Sequence, residues 1–64
     1  MQLRGIRQSR HLTQRELSEK SGVNYRSLQD YEQGHKSLRS ASGDVLLRLS
    51  TVLGCKVEEL LFGN

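Results

Sequence analysis

Thr13-Gln14-Arg15-Glu16-Leu17-Ser18-Glu19-Lys20-Ser21-Gly22-Val23-Asn24-Tyr25-Arg26-Ser27-Leu28 is the stretch that decides the fold. Thr13 and Glu16 have the spacing of a capping box: the threonine hydroxyl accepts from the Glu16 backbone N–H, and the Glu16 carboxylate reaches back. Leu12 and Leu17 stand at the two ends of a hydrophobic staple around that cap. Gly22 supplies the left-handed conformation in which helices commonly end. Asn24 then caps a second helix, and Val23 with Leu28 repeats the staple. The reading is two short helices, near 14–21 and 25–32, joined by a turn of three or four residues. Such a joint needs a small residue where the helices cross, a glycine to turn, and an apolar plug in the angle. Ser18, Gly22 and Leu28 meet those needs together.

Outward from this pair, only helical periodicity is found. Leu3 and Ile6 mark one face of an opening helix near 2–9, with Arg7 beside them. Leu46, Leu49, Ser50 and Leu53 form the stripe of a helix near 41–53, ended by Gly54. Leu60 and Leu61 mark a closing helix near 57–62, with Lys56 at a cap position that it fills poorly. Cys55 and Leu60 have staple spacing. Period-2 runs are missing, so the fold class is all-α. The chain has 64 residues and reads as one domain, 1–64. One cysteine excludes an internal disulfide, and no run approaches the ~18 apolar residues of a membrane span. With no export-type segment either, the expected location is cytoplasmic.

Ten Lys+Arg against seven Asp+Glu give a net charge of +3. Arg4, Arg7, Arg10 and Arg15 fall in the first fifteen residues with no acid among them. That asymmetry fits either a face that meets nucleic acid or a solvated first helix. His11 and His35 lack partners at metal-ligand spacing, and no nucleophile–base set or phosphate-cradling glycine loop can be assembled. No enzyme activity, metal, cofactor or small-molecule ligand is therefore expected.

Two helices joined by a glycine-containing turn form the helix-turn-helix unit, here about residues 13–33. The run Leu12 to Val23 resembles the core motif of the lambda-repressor/Cro-like helix-turn-helix family, often called the Xre family. Tyr31-Glu32-Gln33-Gly34, Leu49-Ser50-Thr51-Val52-Leu53-Gly54 and Val57-Glu58-Glu59-Leu60-Leu61 continue the likeness in order, over roughly residues 3–61. The resemblance implies a compact five-helix lambda-repressor-like DNA-binding domain with the helix-turn-helix at its second and third helices. It also implies a sequence-specific, double-stranded DNA-binding transcriptional regulator, with the helix 25–32 lying in the major groove. Tyr25, Arg26, Gln29 and Asp30 are then the base readers, Arg26 suited to guanine and Gln29 to adenine. Gln14, Arg15, Asn24, Gln33, Gly34, His35, Lys36 and Arg39 become candidates for the DNA backbone. Arg7 and Glu32 fall where relatives form an internal ion pair.

Asp30 has two readings: a contact to a donor such as cytosine N4, or an i,i+4 partner that holds Arg26. Relatives bind as two-fold dimers, which makes the closing helix, with Leu61 and Phe62, the candidate homodimer surface; alternatively Phe62 closes the core. Against the common family pattern, the segment between Gly34 and Leu49 is about three residues longer and lacks proline. The competing function is a protein-interaction module, such as an antitoxin or accessory subunit with a helix-turn-helix body. The operator, the direction of regulation and the regulated genes are not legible in one chain.

Overall fold

The computed structural model describes residues 2–62. In order they form α1 (Gln2–Ser9), α2 (Gln14–Ser21), α3 (Tyr25–Gln33), a 3₁₀ turn (Leu38–Ser40), α4 (Gly43–Leu53) and α5 (Val57–Phe62). The body measures 22 × 21 × 20 Å, and the described residues contain no strand. Leu3, Leu17, Val23, Leu28, Leu49, Leu53 and Leu60 meet in one core to which every α-helix contributes. α2 packs on α3 and α4, α1 lies against α3 and α5, and α5 closes over α4 and the 3₁₀ turn.

Most helix ends between α1 and α5 carry a local device. Thr13 Oγ1 accepts from the Glu16 N–H at 3.0 Å while Glu16 Oε1 accepts from the Thr13 N–H at 2.9 Å, completing the capping box. Asn24 Oδ1 accepts from the N–H groups of Arg26 and Ser27. Ser42 caps α4 by accepting from the Val45 N–H, so that helix starts at Gly43, two residues later than its periodicity suggests. At Lys56, Glu59 Oε1 accepts the backbone N–H at 2.9 Å; the carboxylate supplies directly the acceptor that the lysine lacks.

The long segment after Gly34 contains a turn that periodicity does not reveal. Ser37 Oγ accepts from the Arg39 N–H to start the 3₁₀ turn, and Leu38 tucks against the core. Three residues are too few for a periodic signal.

α1 ends without a glycine. His11 takes φ 58°, and the N–H groups of His11 and Leu12 donate to the carbonyls of Gln8 and Arg7. This is the hydrogen-bond pattern of a Schellman motif, with histidine where glycine is usual.

Candidate nucleic-acid interface

The angle between α2 and α3 is set by small residues and one plug. Gly22 sits at φ 75° and its N–H donates to Ser18 O. Ser18 Oγ donates to Val23 O at 2.6 Å, fastening the turn to the helix that precedes it. Ser21 Oγ donates to Leu17 O and accepts from the Val23 N–H, so the turn keeps few free polar groups. A Cβ at Gly22 would also lie 2.9 Å from Arg48 Nη1, the far end of a half-exposed side chain of α4. Leu28, fully buried, fills the angle.

α3 is graded from a buried to an exposed side. Leu28 and Glu32 are buried and Tyr31 half-buried, whereas Arg26, with 82% of its side chain exposed, and Gln33 face outward. Tyr25 and Gln29 are half-buried. The Arg15 guanidinium lies 5.1 Å from the Tyr25 ring centre, within cation–π range, and links the first turns of α2 and α3.

Glu32 is the electrostatic centre behind this face. Its side chain has no exposure and takes two hydrogen bonds from Arg7, Nε to Oε2 at 2.7 Å and Nη2 to Oε1 at 2.9 Å. Gln14 Nε2 donates to Oε1 at 3.1 Å, and Arg4 Nε lies 3.6 Å away. Burial pushes the Glu32 carboxyl up. The hydrogen bonds from Arg7 and Gln14 and the charges of Arg7 and Arg4 outweigh it and hold the group below the ordinary carboxylate range. The bond to Glu32 in turn raises Arg7. Arg7 also donates to Leu12 O at 2.8 Å, so this one side chain joins α1, the chain leading into α2, and the end of α3.

Asp30 gathers a second set of charges. Its carboxylate is only 16% exposed, with Arg26 Nε at 3.8 Å, His35 Nδ1 at 3.6 Å and Lys36 Nζ at 3.7 Å. Its backbone carbonyl accepts from the N–H groups of both His35 and Lys36. Gly34 at φ 84° allows that reversal.

A family model described as helix-turn-helix matches residues 3–60. The chain belongs to the lambda-repressor-like (Xre) helix-turn-helix family. Searches of curated proteins and of solved structures returned no match. Membership makes the chain a DNA-binding helix-turn-helix protein, in a family whose second motif helix docks in the major groove of duplex DNA.

Within the Xre frame, most of the candidate residues lie along α3 or at its two ends. Tyr25, Arg26, Gln29 and Asp30 lie along α3 itself. Arg15 and Asn24 flank its start, and Gln33, Gly34, His35 and Lys36 flank its end. Gln14 stands at the first residue of α2 with its amide already tied to Glu32. Arg39 lies apart from these: its guanidinium sits 5.2 Å from the ring centre of Phe62, which is itself 61% exposed and does not close the core.

The arginines of the first fifteen residues do not make one outward patch. Arg7 is buried against Glu32, and Arg10 Nε donates at 2.7 Å to Leu53 O, a carbonyl left unpaired at the C-terminus of α4. Nothing in the local sequence announces Arg10 as a helix cap, because its partner is on another helix. Among the described residues there is no His/Cys/Asp/Glu group placed to hold a metal ion, and no helix long and apolar enough to cross a membrane.

Proposed function

We propose that residues 1–64 act as one DNA-binding domain that regulates transcription by occupying a specific duplex site, with the helix-turn-helix unit 13–33 as its reading head. The observation that carries this reading is the outward face of α3. Its first turns present Tyr25, Arg26 and Gln29 from a helix whose base is pinned by Leu28 and by the buried Arg7–Glu32 pair. In this reading Arg26 grips guanine O6 and N7 and Gln29 meets adenine. Gln14, Arg15, Asn24, Gln33, Gly34, His35, Lys36 and Arg39 meet the phosphate backbone. Bound in this way, the protein would compete sterically with other proteins for the same duplex.

The proposed two-fold contact uses α5. Phe62 is exposed and Leu61 half-buried there, and in relatives the two half-sites lie about one helical turn, ~34 Å, apart.

The test is a fluorescence-anisotropy titration of labelled duplex DNA at several salt concentrations. With Arg15, Lys36 and Arg39 on phosphates, log K should fall linearly with log salt, with a slope of about −2 to −3 per bound chain. No binding at low salt, or binding indifferent to salt, would refute the reading and favour a protein partner instead.

A further inference from the structure

We infer that Asp30 is a positioning residue: it orders Arg26 and the loop 34–36 for DNA contact and does not itself touch a base. The inference rests on the DNA-binding reading above. A carboxylate on a groove-facing helix is repelled by phosphate, and its one useful base partner is a donor such as cytosine N4. To reach that donor it must project from the helix. The Asp30 carboxylate does not project, being 16% exposed and surrounded by Arg26, His35 and Lys36 at 3.6–3.8 Å. The two lysine and arginine charges exceed its own, so the patch remains positive.

Each contact places a group that the DNA-binding reading needs. Arg26 meets Asp30 through Nε, which leaves its two Nη groups for an acceptor pair such as guanine O6 and N7. The loop is folded back twice by the same residue. The Asp30 carbonyl accepts from the His35 N–H at 2.9 Å and the Lys36 N–H at 3.2 Å, and its carboxylate faces both side chains. A flexible cationic side chain loses rotamer freedom when it binds, and ordering it beforehand reduces that loss. Asp30 thus trades a little long-range attraction for a fixed geometry, which affects specificity more than total affinity.

Asp30→Asn tests this, because it keeps the backbone contacts and removes only the charge. Wild type first selects a duplex from a randomised pool. D30N, R26A and the double variant are then titrated with that duplex and with a random one of equal length, and thermal melts check that each is folded. A bidentate base contact is worth about 5- to 150-fold in discrimination. R26A, which removes such a contact outright, should lose at least the lower figure on the selected duplex. D30N should lose about 2-fold there, the worth of an exposed i,i+4 pair, while random-duplex binding holds or tightens, since net charge rises by one. On the selected duplex the loss in D30N/R26A should be smaller than the sum of the two single losses, because part of the Asp30 effect runs through Arg26 and the rest through the loop 34–36.

Two results would overturn the inference. One is D30N tightening, or leaving unchanged, its binding to both duplexes, which would make Asp30 merely repulsive. The other is additive losses in the double variant with relaxed choice at a single C·G pair, which would make Asp30 a base reader. If wild type enriches no duplex at all, the DNA-binding reading itself fails and this inference falls with it.

Discussion

Replacing Arg7 alone by methionine should remove a large part of the stability of this protein. Glu32 has no exposed side-chain surface, and Arg7 supplies two of the three hydrogen bonds that its carboxylate receives from side chains. Breaking a buried pair by removing one partner costs ~3–5 kcal/mol, because the remaining charge is stranded. Gln14 and Arg4 stay close to Glu32, which places the loss toward the lower end of that range. A chain of this size has a total stability of only ~3–10 kcal/mol. A loss of ~3 kcal/mol lowers Tm by roughly 12–24 °C at this size. The assay is urea and thermal unfolding followed by circular dichroism, with wild type, R7M, E32L and R7M/E32L compared. Both single variants should be severely destabilised. The double variant should recover most of the loss, since a well-packed apolar pair replaces buried ions at little net cost. An R7M midpoint within ~1 kcal/mol of wild type, a small effect for a buried ion pair, would refute the claim that this pair holds α1 to α3.

The same carboxylate sets the acid limit. Glu32 is held below its unfolded value of about 4.3, so its contribution is present above that pH and is lost as pH falls through the lower native value. Wild-type stability should therefore decline steadily below about pH 4.5, and this part of the decline should disappear in R7M/E32L. His11→Gly should stabilise the fold by ~0.5–1 kcal/mol, because φ 58° strains histidine more than glycine; denaturant melts showing a loss would contradict the strain. Cys55 should react with iodoacetamide several-fold more slowly than free cysteine at pH 7.5. Burial, with the charge of Glu59 adding and that of Arg10 opposing, raises its thiol and so depletes the thiolate, and mass spectrometry of the adduct reads the rate.

Features written within a few residues of one another were legible in the sequence. The Thr13–Glu16 box, the Asn24 cap, the glycines after α2, α3 and α4, and the Leu46–Leu53 stripe all act over one or two helical turns. The element order followed from them. The 3₁₀ turn was not legible because three residues are too few to repeat a helical pattern. The end of α1 was not legible because histidine takes the conformation that glycine normally announces. Arg10 on Leu53 O depends on how two distant helices pack, and adjacent residues do not encode it.

The candidate interface divides along the same line. Helical spacing puts Leu28 and Tyr31 inward and Tyr25, Arg26, Gln29, Asp30 and Gln33 outward; Arg26 and Gln33 are exposed, whereas Tyr25 and Gln29 are half-buried. The covering of Asp30 does not follow from spacing, because it requires the loop after Gly34 to fold back on α3. Likewise, the Arg7–Glu32 contact matched positions known in relatives, but the addition of Gln14 and Arg4 to the same carboxylate arises from the tertiary approach of α1, α2 and α3. Local signals specify the scaffold, whereas the charge arrangement on it is a property of the assembled body.

The most direct measurement is amide mapping by NMR while duplex DNA is added to isotope-labelled protein. Docking through α3 predicts shifts concentrated at Gln14–Arg15 and from Asn24 to Lys36, growing with added duplex and suppressed by salt. Shifts confined to the exposed faces of α4 and α5, with α3 undisturbed, would contradict it.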